Sequence, residues 1–92
     1  MGQTSTFEDV LIETITDKNY CLIVWNDDVN TFDYVAEVLV DVCGHSQEQA
    51  EQCAIIIDSK GKYAVQDGSY DEMAAKCTIL CNKKLSATVG EK

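Results

Sequence analysis

The run Tyr20-Cys21-Leu22-Ile23-Val24-Trp25 constrains this chain more than any other feature. Six consecutive apolar residues of β-favouring types read as a strand covered on both faces or nearly so. The same six are far short of the ~20 needed to cross a bilayer. The run ends at Asn26-Asp27-Asp28, whose short polar side chains prefer turns and bonds to their own backbone. A chain of 92 residues has room for one modest core around such a strand, and little for a multi-subsite cleft. With 46% apolar and 25% charged residues it belongs among globular sequences rather than disordered ones.

Beyond the turn the apolar spacing becomes helical. Asn30 is a good N-cap, Asp33 suits the first turn, and Phe32, Val35, Leu39 and Val42 recur at helical intervals up to Gly44. A second helix opens at the capping box Ser46-Gln47-Glu48-Gln49 and turns Ala50, Cys53, Ala54 and Ile57 to one face before Gly61 closes it. Lys62–Gln66 reads as a strand with a polar exit at Asp67-Gly68. Another capping box, Ser69-Tyr70-Asp71-Glu72, opens a third helix to about Lys83, with Met73, Cys77, Leu80 and Cys81 inward. Leu85–Val89 is a last strand. The order β-α-α-β-α-β predicts an α+β fold, a small three-stranded antiparallel sheet packed against three helices. Residues 1–19 show no sustained period and read as a flexible N-terminal tail ahead of a core spanning 20–92.

Charge narrows the partners. The formal net charge is −9, and there is no arginine to fork onto phosphates or bases. Nucleic acid and anionic membrane are therefore excluded as expected partners, while cations, ammonium groups and basic protein faces are attracted. Residues 1–19 lack the basic and apolar regions of a signal peptide, so a cytoplasmic protein is expected. Five cysteines, an odd number with no C-x-x-C pair, fit reduced thiols in that compartment. Cys77 and Cys81 stand at i,i+4 and could share a helix face. The other ligands of a tetrahedral site are missing, so no metal and no cofactor are expected. His45, with Cys43 two residues away, lacks the third group of a catalytic arrangement, and no nucleotide-binding or hydrolase motif occurs. Read alone, Asn26-Asp27-Asp28 fits a cation or ammonium site or, more simply, a polar turn that caps a helix.

Several strings together resemble the ClpS adaptors. They are Val24-Trp25-Asn26-Asp27-Asp28, the helix Phe32-Asp33-Tyr34-Val35 with Val38-Leu39, then Gln49-Ala50, Lys60-Gly61-Lys62, Tyr70-Asp71-Glu72-Met73-Ala74 and Leu85 with Ala87-Thr88-Val89. The resemblance runs from about Tyr20 to Val89. It implies a non-enzymatic, monomeric adaptor. Such proteins bind substrates whose first residue is Phe, Tyr, Trp or Leu and hand them to a Clp AAA+ unfoldase by docking on its N-terminal domain. The N-terminal tail takes part in delivery.

By the same resemblance, Asn26 accepts from the substrate's α-amino group, with Asp27, Asp28 and Asn30 around it. Phe32, Val35, Ala54, Ile57 and Leu85 line the hole for the first side chain. Glu72 and nearby Lys76 fall in the unfoldase-docking patch. This chain departs from the family pattern at three places. Asn30-Thr31-Phe32 stands for Thr-Pro-Met, so Phe32 narrows the mouth; Ala54 stands for a Met, which enlarges the hole. Asp58 stands for a His that helps hold the amine. An acid there still accepts from an ammonium group, but it is expected to crowd Asp27 and Asp28 and raise a carboxylate pKa. The alternative function is a ClpS-like regulator that occupies the unfoldase with altered or lost degron binding.

Overall fold

Strand β1 (Tyr20–Trp25) is the middle strand of a three-stranded antiparallel sheet, flanked by β2 (Lys62–Gly68) and β3 (Ser86–Glu91). A middle strand has no free edge and one face against the helices, which is why the most apolar run of the sequence occupies it. These features come from a computed structural model that describes residues 19–92. The expected tail lies outside the described residues except for Asn19, whose carbonyl accepts from the Lys92 N–H at 2.9 Å.

Helix α1 (Phe32–Cys43) and α2 (Gln47–Lys60) intervene between β1 and β2, and α3 (Tyr70–Asn82) between β2 and β3. The architecture is therefore the predicted α+β sheet-and-helix layer pair. Leu22 and Val24 meet Leu39, Ile57, Met73 and Leu80 in one core, with Leu22, Leu39, Met73 and Leu80 wholly buried. Each such side chain contributes about 1.5–3 kcal/mol by leaving water. The alternate residues of β1 are less covered. Ile23 is half-buried and Trp25 is 40% exposed, so the strand is not covered on both faces along its whole length.

Capping follows the sequence closely at α2 and α3. The Ser46 hydroxyl accepts from the Gln49 N–H at 3.1 Å, and Ser69 from the Glu72 N–H at 3.2 Å. Gly44 and Gly61 take φ values of +74° and +91°, the left-handed conformation that ends α1 and α2 and that suits a residue without Cβ. At α1 the cap is Thr31, not Asn30: the Thr31 hydroxyl accepts from the Tyr34 N–H at 3.1 Å. Asn30 is used elsewhere, in the turn that precedes the helix.

Other expectations are corrected by packing. The buried stripe of α1 is Ala36, Val38, Leu39 and Cys43; Phe32 is 42% exposed, and Val35 and Val42 are half-buried. Leu39 is buried as expected, but the stripe is centred on Ala36, Leu39 and Cys43, and Phe32 and Val35 are left at its edge. On α3, Met73 and Leu80 are buried as expected, but Cys77 is half-buried and Cys81 exposed. The second strand runs on through Asp67-Gly68, because Cys21 and Tyr20 pair with those residues. Leu85 is buried just ahead of β3 rather than within it.

A bulge lies between the pairs Leu22–Gln66 and Ile23–Ala64, leaving Val65 as the extra residue of β2. Its carbonyl, out of the ladder, meets the buried His45 ring at Nε2, 2.9 Å away. Because a carbonyl only accepts, Nε2 carries the proton in that bond. His45 therefore serves packing, as the bond a bulge would otherwise lack.

Candidate functional site

The turn between β1 and α1 is built around Asp27. Its Oδ1 accepts from the backbone N–H groups of Val29 and Asn30 at 3.1 and 3.0 Å. The Asn30 amide nitrogen donates to both carboxylate oxygens at 3.0 Å, and the Ser86 hydroxyl donates to Oδ2 at 3.2 Å. Burial pushes the Asp27 carboxyl up, but the bonds from Asn30, Val29 and Ser86 outweigh it and leave its pKa below the ordinary carboxylate value. The expected like-charge crowding is therefore not what governs Asp27, and neither Asp28 nor Asp58 contributes to its shift. Donors arranged by the local backbone decide the matter.

Asn30 ties this turn to the far end of the chain. Its Nδ2 also donates to the Lys84 carbonyl at 2.8 Å, and the Tyr34 hydroxyl donates to the Lys83 carbonyl at 2.8 Å. Lys84 is the one described non-glycine residue with positive φ, at 77°. Asn30 of the turn and Tyr34 of α1 thus clamp a strained turn and fix Leu85, which follows it. With Nδ2 committed to acceptors, the Asn30 amide oxygen is the end left over, and the side-chain orientation is settled by that network.

Asn26 is held differently. Its backbone N–H donates to the Gly61 carbonyl at 2.9 Å, which draws the end of α2 beside the turn. Its side-chain amide makes no hydrogen bond among the described residues. Asp58, in the last turns of α2, is exposed, and its side chain has neither an ion pair nor a hydrogen bond among the described residues. An anion near a helix C-terminus faces the negative end of the helix dipole, the end that suits a cation.

These residues enclose two adjoining hollows. The smaller, about 10 Å³, is lined by Trp25, Asn26, Asp27, Asn30, Val35, Ile57 and Leu85. The larger, about 40 Å³, is lined by Asn26, Asn30, Phe32, Val35, Ala54, Ile57 and Asp58. Of the ten positions expected at a substrate site, nine line one hollow or the other. Asp28 lines neither and is exposed on the turn. The smaller holds one water molecule at most and the larger a few. Neither volume admits an aromatic side chain as it stands, and Phe32 in the lining of the larger is 42% exposed.

Trp25 was not among the expected site residues. It stands beside the smaller hollow, donating from Nε1 to the Thr88 hydroxyl at 3.0 Å, with the Lys62 ammonium 4.8 Å from its ring centre. An aromatic residue directly before the Asn-Asp-Asp string was the available signal. Of the two positions expected at a docking patch, Glu72 is exposed. Lys76 is mostly covered, donating to Gln66 Oε1 at 2.7 Å with Glu72 at 3.7 Å. Burial pushes the Cys43 and Cys53 thiols up, so both remain protonated core side chains rather than nucleophiles.

Comparison with known proteins bears on the family and the fold. The family model of the ATP-dependent Clp protease adaptor protein ClpS matches residues 15–88. The ATP-dependent Clp protease adapter protein ClpS of Corynebacterium diphtheriae is 30% identical over 91 residues, covering 97% of this chain and 80% of that protein. Its counterpart in Mycobacterium tuberculosis is 32% identical over 75 residues, covering 82% and 74% respectively. Among solved structures, Agrobacterium tumefaciens ClpS2 bound to L-phenylalaninamide superposes with a TM-score of 0.77. That match covers 82% of this chain and 98% of the other at 21% identity, which bears on the fold.

Proposed function

We infer the function from one premise: this chain belongs to the ClpS family of ATP-dependent Clp protease adaptors, and so is an adaptor rather than an enzyme. We propose that it binds proteins bearing a free α-amino group on a bulky hydrophobic first residue and delivers them to a Clp AAA+ unfoldase for degradation. The observation that carries the proposal is the pairing of unspent polar groups with an apolar floor. Asn26 and Asn30 offer amide oxygens and Asp58 an unpaired carboxylate at one rim, above Val35, Ala54 and Ile57. An α-amino group has a pKa near 8 and is mostly cationic at neutral pH. It brings three donors and a positive charge to acceptors and to a helix end that suits a cation. The ligand of the Agrobacterium structure, L-phenylalaninamide, has this chemistry: a free amine, an aromatic side chain and an amide.

Asp27 has a different part in this proposal. Its acceptor capacity goes to Val29, Asn30 and Ser86, so it shapes the rim and lends it long-range negative charge. Glu72 and its surroundings on α3 are the face offered to the unfoldase's N-terminal domain, as an exposed acidic position. The cytoplasm is the compartment in which such substrates and reduced thiols coexist. Among the described residues no helix is long and apolar enough to cross a membrane.

A second reading has one observation in its favour. The larger hollow, about 40 Å³, does not admit an aromatic ring as it stands. On that reading the protein occupies the unfoldase as a regulator without binding degrons. Fluorescence anisotropy with labelled peptides beginning in Phe, Tyr, Trp, Leu, Ile or Met, and with an acetylated Phe peptide, separates the two. Binding of bulky first residues that disappears on acetylation is the expected result. No binding by any peptide, in a protein that still binds the unfoldase, establishes the regulator instead.

A further inference from the structure

Three of the five cysteines, Cys21, Cys43 and Cys53, are buried in the core, whereas Cys77 is half-buried and Cys81 exposed. These two lie one helical turn apart on α3 and converge on a single acceptor in β3. The Cys77 thiol donates to the Ala87 carbonyl at 3.4 Å and the Cys81 thiol to the same oxygen at 3.6 Å. Both sulfurs therefore point into one small volume at the open seam between α3 and β3. Nothing in the proposed adaptor function uses them.

Helix geometry decides what such a pair can do. At i,i+4 the Cβ atoms stand about 5–6 Å apart. A disulfide needs Cβ atoms about 3.5–4.5 Å apart, so a direct S–S bond would distort the last turns of α3. One interposed atom removes that mismatch. Among the described residues no group of three or more His, Cys, Asp or Glu side chains is placed to hold a metal. This leaves a tetrahedral zinc site without its remaining ligands. A soft ion content with two thiolates has no such requirement, and among thiolate-seeking ions copper(I) is that case.

We propose that Cys77 and Cys81 form a two-thiolate binding site for copper(I). The two S–H bonds break, two Cu–S bonds form, two protons leave to solvent, and copper stays in the +1 state. Because two protons leave as the ion binds, binding strengthens with rising pH.

The test is an anaerobic copper(I) titration of the full chain against a chromogenic copper(I) chelator, with native mass spectrometry and proton release followed in parallel. The expected result is one copper(I) per monomer and two protons released, both lost in Cys81→Ser and in Cys81→Ala. Cys81 is exposed, so these variants keep the fold, which circular dichroism verifies. Cys77→Ser is expected to behave alike. Copper retained by the Cys81 variants, copper surrendered wholly to the chelator by the natural sequence, or copper found only in a dimer bridged between copies would each overturn the site.

Discussion

Two carboxylates stand at the same rim, and the fold treats them in opposite ways. Asp27 sits in the β1–α1 turn and accepts from two backbone N–H groups, the Asn30 amide and the Ser86 hydroxyl. Asp58 sits near the C-terminal end of α2 with no partner among the described residues. Hydrogen bonds lower the Asp27 pKa and join its turn to Ser86 of β3, whereas Asp58 stands at the helix end where an anion is least welcome. The difference teaches that an acidic motif is not a uniform reservoir of binding charge. One acid is consumed in shaping the turn, and another, on a different element, keeps its side chain unpartnered among the described residues.

The comparison breaks most directly at Asp27. Asp27→Ala orphans the N–H groups of Val29 and Asn30 and frees the Asn30 amide that clamps the Lys84 turn. A loss of about 1–2 kcal/mol is expected after discounting for solvent exposure, together with loss of peptide binding. Urea denaturation and anisotropy measure the two. A variant as stable as the natural protein would show that the turn does not depend on this carboxylate. The pH dependence follows from the direction of the shift. The folded pKa lies below the unfolded value of 3.8, so the stabilisation is complete above about pH 4 and declines as pH falls through the folded pKa. The stability gap between the natural protein and Asp27→Ala is therefore expected to close in acid, as urea midpoints between pH 6 and pH 2 would record.

At Asp58 the expected signs reverse. Asp58→Asn removes charge from the rim without removing a bond. Peptide affinity is expected to fall severalfold and its dependence on ionic strength to flatten, while the urea midpoint stays level or rises slightly. Asp58→His keeps a group able to accept from the amine but not the negative charge, so it too should flatten the salt dependence. Unchanged affinity and salt slope in both variants would mean that Asp58 takes no part in holding the amine.

Most of the fold was legible because its signals are local. Ser46, Ser69, Gly44 and Gly61 act through neighbours within a few residues, and the Ala50-Cys53-Ala54-Ile57 face depends on helical period alone. The likeness to a family points to ten scattered positions, and the fold brings nine of them to the lining of two adjoining hollows. What escaped depended on distant partners. Asn30 was read as a cap since that is the commonest local use of asparagine. Its real acceptors include Lys84, 54 positions away. Cys81 was read as inward from spacing alone, although the seam between α3 and β3 leaves it open. His45 had no local signature at all, because the bulged Val65 carbonyl it serves is set by the register of β1 against β2.

The gentlest test uses Trp25, the only tryptophan of the chain, which lines the Asp27 side of the site and not the Asp58 side. Its indole is held by Thr88 and overlain by Lys62, so it reports on a rim already fixed in the free protein. Binding of a Phe-initiated peptide is expected to shift Trp25 emission modestly, in proportion to the anisotropy change, and the acetylated peptide to leave it unmoved. Trp25→Phe would lose the bond to Thr88 and weaken the contact with Lys62, at a cost of about 0.5–1.5 kcal/mol in stability. Two outcomes sharpen the division of labour between the halves of the rim. Emission that follows binding means that the ligand spans both halves, with its amine near Asp58 and its following residues along β1. Emission that stays constant while anisotropy rises means that the ligand is held by the α2 side alone, and that the Asp27 turn acts only through the shape it imposes.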